Sequence, residues 1–116
     1  MENFDDALNY MVTRMNEHME HYYRREKSFA DDPKMWIDRC VYTLNVGRKY
    51  VKIVREGSVV AFVEKETGNI FKPASWQAPA KGVRGNIFSD KKGMEALNFD
   101  SVGLVFVKYA ANYAKS

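Results

Sequence analysis

The sequence has 116 residues, of which 46% are hydrophobic and 14% aromatic; this composition fits one compact domain and excludes global disorder. The net charge of +3 hides an asymmetry, because residues 1–32 carry eight acids and four bases while the rest carries seven acids and fourteen bases. A basic body favours anionic partners. With one cysteine, Cys40, an intramolecular disulfide is excluded, and because no apolar run approaches the ~18 residues of a membrane span we expect a cytoplasmic protein without membrane contact.

Residues 1–27 are predicted to form one long amphipathic helix, the helical arm. Asn3 or Asp5 can cap its start, and the acids of its first turn and the bases of its last turn match the helix dipole. The apolar stripe faces the chain's own sheet or a partner chain. Its members recur at alternating steps of four and three: Phe4, Leu8, Met11, Met15, His18 or Met19, and Tyr22.

The hydrophobic period changes to two after Gly47. Residues 34–46 are ambiguous, and one interpretation is a short second helix that Gly47 ends. Residues 49–72 are predicted to form a β-meander with tight turns at Glu56-Gly57 and at 66–69. The fold class expected for this single domain is α+β, with a long N-terminal amphipathic helix packed on a small antiparallel β-meander that carries a functional loop. The three predicted strands are Lys49–Arg55, Ser58–Glu64 and Ile70–Lys72.

Residues 73–88, the signature loop, match neither period. Two prolines and two glycines interrupt the segment, and loops of this length in small domains are usually functional or disordered. Its apolar side chains argue against disorder. Further along, residues 90–97 are predicted to form a short helix and residues 102–109 a fourth strand, although a helix over 99–113 is an alternative.

The chemistry of the signature loop suits a nucleotide or another phosphate-bearing ligand. From Thr67 to Ser89 the chain has three bases and no acid. Trp76 offers a ring on which a base can stack, and lysine and arginine bind phosphate as a point charge and as a planar fork. Small residues let backbone amides approach an anion, and the amide of Asn86 can read a base edge. The candidate ligand-binding residues are Lys72, Trp76, Lys81, Arg84 and Asn86.

Each of these residues alone has an ordinary structural explanation. A tryptophan is more often part of a core, glycines form turns, and isolated cations lie in solvent. The binding hypothesis depends on their conjunction and requires Trp76, Lys81 and Arg84 to surround one cavity. The spacing matches no P-loop or dinucleotide fingerprint.

The run from Gly57 to Phe88, GSVVAFVEKETGNIFKPASWQAPAKGVRGNIF, resembles a group of small proteins of tailed bacteriophages with a K-x-A-x-W-x-A-P-A-K-x-x-R-G-N-I signature. Here Pro73-Ala74-Ser75 precedes the tryptophan, a small departure from the pattern. We associate this group with phage sponge proteins, which sequester the cyclic nucleotide signals of host defence systems such as CBASS. The resemblance implies a non-catalytic homo-oligomer that binds a cyclic di- or oligonucleotide through the five candidate residues.

An enzyme is not expected, because the loop contains no carboxylate or histidine to act as a general base and the chain has no G-x-S-x-G elbow. His18 and His21 lie on the predicted helix without a second set of ligands, so neither a metal nor a cofactor is expected. Two other functions stay open. The same residues can bind single-stranded nucleic acid along an open groove, or the protein can be a virion or structural component in which Trp76 packs.

Overall fold

The computed structural model describes residues 3–26, 29 and 31–108. Within these ranges the chain forms two α-helices and seven strands, with a turn of 3-10 helix at Met94–Ala96, which confirms the α+β class. None of the helices in these ranges has the length and apolarity of a membrane span. The elements are α1 (Phe4–Arg25), α2 (Pro33–Cys40), β1 (Thr43–Val46), β2 (Tyr50–Arg55), β3 (Ser58–Glu64), β4 (Asn69–Phe71), β5 (Gly85–Asn86), β6 (Leu97–Phe99) and β7 (Val105–Val107).

Helix α1 supplies most of the helical part of the core. The Asn3 side chain caps its start by accepting a hydrogen bond from the backbone N–H of Asp6 at 2.8 Å, as the sequence predicts. The predicted stripe is confirmed over most of its length, but Tyr23 is buried at its end while Tyr22 is half-buried. The buried residues of the helix are Ala7, Leu8, Met11, Val12, Met15, Met19 and Tyr23.

The ambiguous segment 34–46 contains two elements and not one. Asp32 caps α2 through the backbone N–H of Met35 at 3.1 Å, and the helix ends at Cys40. The interpretation of a short second helix is therefore confirmed, but the helix does not end at Gly47, because β1 precedes that glycine and pairs with β2. Asn16 of α1 fixes the entry to β1 by accepting a 2.7 Å hydrogen bond from the Tyr42 N–H and donating to the Tyr42 carbonyl.

The predicted meander is confirmed as part of a five-stranded antiparallel sheet with the order β1-β2-β3-β4-β5. One face of this sheet belongs to the main core. Alternate residues such as Val51, Ile53 and Ile70 are buried there in the same cluster as the side chains of α1. The register between β2 and β3 shifts between Ile53 and Val54, where a bulge interrupts the ladder.

The last strands form a separate two-stranded ladder between β6 and β7. The predicted helix over 90–97 is reduced to the turn of 3-10 helix, and the predicted strand over 102–109 begins only at Val105. Residues 99–108 are not helical, and the remainder of both alternatives lies outside the described residues. Residues near the start of β3 contact β7, so the small ladder flanks the main sheet beside the site described next.

Candidate functional site

The first part of the signature loop is a compact turn that presents Trp76. Its backbone is paired and not irregular, because Pro73 and Pro79 form a bridge and the Ala78 carbonyl accepts hydrogen bonds from the N–H groups of Ala74 and Ser75. The Ser75 hydroxyl accepts two further bonds from backbone N–H groups of the turn. The indole of Trp76 is 43% exposed at the tip of this turn.

The turn lies against the sheet face opposite α1. Phe62 of β3 is only 1% exposed, yet it does not belong to the main core cluster. It pairs in register with Lys52 and Phe71, and the ring of Tyr50 packs edge-on against it at 5.6 Å between centroids. These aromatic residues form a second apolar cluster on the sheet face opposite α1, and we call this face the aromatic face.

Lys52 connects Trp76 to the aromatic face. Its Nζ atom lies 4.5 Å from the centroid of the Trp76 ring and 5.8 Å from that of Phe62. A lysine over an aromatic ring contributes about 0.5–1 kcal/mol at an exposed position. The contact therefore holds the indole in place while a large part of the ring stays accessible, and it puts a positive charge beside the ring.

Two adjoining cavities open beside this turn. The first, the Trp76 cavity, has a volume of about 370 Å³ and is lined by Gly57–Val59 and Pro73–Trp76. The second, the β3–β7 cavity, has a volume of about 380 Å³ and lies between the start of β3 and the strand β7, with Lys72 and Arg55 among its lining residues. Ser58, Val59 and Pro73 line both cavities, so the two lie side by side.

Lys81 and Arg84 line neither cavity. Lys81 is exposed, whereas the guanidinium of Arg84 donates hydrogen bonds to three carbonyl oxygens, those of Gly82 at 3.1 Å and of Lys81 and Lys108 at 3.4 Å. Burial lowers the pKa of Arg84 from its ordinary value. The structure thus brings Lys72 close to the Trp76 cavity and uses Arg84 to join the second half of the loop to the end of β7.

Asn86 lies in β5, and its side chain connects neighbouring segments through hydrogen bonds. Its side-chain N–H groups donate to the Thr67 carbonyl and to Asn69 Oδ1, both at 2.9 Å, and its Oδ1 accepts from the Phe88 N–H at 2.7 Å. The backbone N–H of Asn86 donates to Glu95 at 2.9 Å. Both amide hydrogens are therefore already used within the protein.

Glu95 is an acid that the sequence does not single out, although it anchors the end of the loop. Burial would raise the pKa of this carboxyl, but hydrogen bonds from the Asn86 N–H and the Ser89 hydroxyl outweigh it, and the pKa lies below its ordinary value. The charged form is thus the form that the fold stabilises.

The sequence also does not single out Lys52 or Arg55 as site residues. Lys52 occupies an outward position of a half-buried strand, which is where solvated lysines are common. The one available signal is that alternation puts Tyr50 and Lys52 on the same face, together with the aromatic residues of the neighbouring strands. Only the return of the turn over that face brings Trp76 to Lys52.

These features define a small α+β protein that carries an exposed tryptophan and lysine side chains on the sheet face opposite its long helix. The chain belongs to a family of unknown function, DUF7717, whose profile matches residues 2–107. No curated protein and no solved structure matches the chain. The family match therefore covers almost the whole sequence and assigns no function to it.

Proposed function

We propose that the protein binds a nucleotide or a related phosphate-bearing small molecule at the Trp76 cavity and releases it chemically unchanged. The observation that carries the proposal is the exposed indole of Trp76, held at the tip of an ordered turn with the Lys52 ammonium 4.5 Å from its centroid. The base stacks on the indole, and Lys52 and Lys72 neutralise the phosphate. Stacking of one base on an aromatic side chain contributes about 1–3 kcal/mol.

Lys81, Arg84 and Asn86 have different parts in this proposal. Lys81 is exposed and adds positive charge at the rim of the site. Arg84 and Asn86 support the loop, because their hydrogen bonds to the carbonyl oxygens of Lys108 and Thr67 fasten its second half to other segments of the chain. Their substitution is therefore expected to disorder the loop, which lowers affinity indirectly.

The absence of catalysis is proposed from the chemistry of the lining residues. Of the described residues, those that line the Trp76 cavity include no carboxylate, histidine or cysteine. General acid–base catalysis needs such a group within hydrogen-bond reach of the substrate. A ligand that is held without a reaction is sequestered, and sequestration agrees with the resemblance of residues 57–88 to the phage sponge proteins.

In this role the ligand is a cyclic di- or oligonucleotide of a host defence system, bound in the cytoplasm of the infected cell. We further propose that the protein acts as a homo-oligomer. The strand β1 is the outer strand of the sheet, and its Val46 side chain is 67% exposed. An open strand edge with exposed apolar side chains is a common site of association. Light scattering on the purified protein measures the assembly directly, and a monomer at all concentrations would contradict this part.

The experiment is a binding titration of cyclic dinucleotides, cyclic trinucleotides and linear nucleotides, followed by calorimetry and melting temperature. We expect one class to raise the melting temperature, and Trp76→Ala and Lys52→Gln to reduce that shift. Lys65→Gln is the matched control, because Lys65 is an exposed lysine in the turn after the far end of β3. Failure of every nucleotide to bind, or equal losses in the control, contradicts the proposal.

Recovery of the ligand separates sequestration from turnover. The protein is incubated with the nucleotide that binds, then denatured, and the released molecule is identified by mass spectrometry. We expect the intact nucleotide in an amount equal to that bound. A hydrolysed or linearised product that accumulates beyond one equivalent would show that the protein is an enzyme.

A second candidate is single-stranded nucleic-acid binding, which the continuity of the aromatic face favours. Tyr50 and Phe71 are half-buried beside the Trp76 turn, and Lys49 lies 5.5 Å from the centroid of the Tyr50 ring. This function predicts affinity that rises with oligonucleotide length, falls steeply with salt, and weakens in Lys49→Gln. Binding of a small nucleotide in the Trp76 cavity predicts no dependence on length and no effect of Lys49→Gln.

A further inference from the structure

The β3–β7 cavity has the composition of a binding site of its own. Apolar side chains of Val59 and Val60 form one wall, and the strand region Leu104–Val107 forms the other. Its volume of about 380 Å³ lies within the range of small-molecule pockets. Pockets of this kind bind an apolar body against their walls and orient it with a few polar groups.

The polar groups of the cavity give it a net positive charge. Arg55 and Lys72 line it together with Glu56, the single acid among its lining residues in the described part of the chain. The Glu56 carboxylate is already paired with two arginines, since its oxygens lie 3.4 Å from Arg39 Nε and 3.6 Å from Arg55 Nη1. An incoming anion therefore meets an excess of cations.

Arg55 is the cation best placed to orient an anion. Its side chain is only 18% exposed, and its Nε atom has no hydrogen-bond partner among the described residues. A buried donor without a partner costs free energy, so a ligand oxygen that accepts a hydrogen bond from this Nε would remove that cost. A planar guanidinium fork matches the two oxygens of a carboxylate.

We propose that the β3–β7 cavity binds a small amphiphilic carboxylate, an anion with a short aliphatic or aryl body. The body lies between Val60 and Val107, and the carboxylate meets Arg55 and Lys72 at the cavity rim. Phosphate groups with several charges are disfavoured because the walls are apolar and Glu56 lies nearby. This site adjoins the proposed nucleotide site and shares Lys72 with it, but it does not use the indole of Trp76.

The test uses octanoate and 4-phenylbutyrate as probes and their neutral amides as controls, with titrations followed by calorimetry and by NMR shifts of the full chain. We expect the acids to bind and the amides to bind about tenfold or more weakly, because the amides lack the charge-assisted hydrogen bonds. Equal affinity of acid and amide, or shifts that lie away from Val60 and Val107, would overturn the proposal.

Variants place the probe in the cavity. Arg55→Gln is expected to weaken octanoate binding about tenfold, whereas Arg48→Gln, which removes an exposed arginine outside the cavity, leaves it unchanged. Because Arg55→Gln can also disturb the fold, Val60→Phe serves as a second variant that fills the cavity and should abolish binding. Trp76→Ala should leave octanoate binding intact while weakening nucleotide binding. Retained binding in Val60→Phe would refute the assignment.

Discussion

Replacement of Trp76 by alanine separates a ligand platform from a packing residue. The indole is 43% exposed, so a little over half of its surface is covered by the turn and by Lys52. A fully buried tryptophan covers about 200 Å², so about 100 Å² is lost here, which at about 25 cal/mol per Å² gives an upper limit of about 2.5 kcal/mol. The unfolded chain also covers part of this area, and we expect a loss of about 1–2 kcal/mol in the free energy of unfolding.

Trp76→Ala should also weaken nucleotide binding. Loss of one stacked base weakens binding by about 1–3 kcal/mol, or about 5- to 150-fold in Kd. Trp76→Phe keeps a stacking surface and should recover much of the affinity. The assay combines urea unfolding followed by circular dichroism with calorimetric titration of the bound nucleotide.

The second tryptophan of the chain is the matched control. Trp36 is half-buried among aromatic rings, stacked on Tyr23 at 6.2 Å and edge-on to Phe29 at 5.1 Å. Trp36→Ala should cost at least as much stability as Trp76→Ala, because its contacts with two aromatic rings are also lost, and should leave the Kd unchanged. If Trp76→Ala keeps full affinity, or if both substitutions reduce stability and affinity alike, Trp76 is a packing residue and the reasoning is refuted.

Three further predictions concern the fold. Gly93→Ala should lower the free energy of unfolding, measured by urea titration, by about 1–3 kcal/mol, because φ is +87° and an added Cβ would lie 2.6 Å from Met11 Sδ; an unchanged urea midpoint would contradict this close contact. Asn16→Ala should cost about 1–3 kcal/mol by the same measurement, because it leaves the buried backbone of Tyr42 without two partners, and a neutral result would mean that water replaces the amide. Burial and, next, the hydrogen bond with the Cys40 thiol raise the pKa of Tyr23 to about 12. The contribution of this tyrosine to the free energy of unfolding should therefore be constant below about pH 10 and fall as the pH rises to about 12. Urea midpoints measured across this range should lose that slope in Tyr23→Phe, and a slope of equal size in the variant would assign it to another group.

The meander could be predicted because its signals are local. The run from Tyr50 to Glu64 alternates in polarity around the turn at Glu56-Gly57, where both residues adopt positive φ. The methionine-rich helix has a clear period and a capping side chain at Asn3. These elements are specified by neighbours within a few residues, and the structure reproduces their bounds closely.

The short strands could not be predicted because their partners are distant in the chain. The strand β5 has two residues and is defined by its pairing with Asn69 and Ile70, about sixteen residues earlier. The strand β1 is largely exposed and has no buried alternation to signal it. In both cases tertiary pairing decides the structure, and intrinsic propensity is too weak to show it.

The neighbours of the candidate residues could not be predicted, for the same reason. Spacing along the loop puts Trp76, Lys81 and Arg84 near one another in sequence, but the bridge between Pro73 and Pro79 closes the turn and sends the indole back over β2. The cation beside the ring is therefore Lys52, more than twenty residues away in sequence, and the guanidinium of Arg84 points to carbonyl oxygens. The loop sequence predicts the types of residue around a candidate site. Which side chains lie beside Trp76 depends instead on the sheet against which the turn packs.

This geometry decides which substitutions are informative about binding. Arg84 donates to three carbonyl oxygens and Asn86 uses both amide hydrogens within the chain, so the loss of either removes the support of the loop together with any ligand contact. A loss of affinity in variants of Arg84 or Asn86 can therefore come from a disordered loop or from a lost ligand contact. Lys52 and Trp76 contact each other at the surface, and either can be changed without a buried hydrogen bond being broken in the described part of the chain. A loss of affinity in those two variants, with the fold retained, therefore locates the ligand beside Trp76.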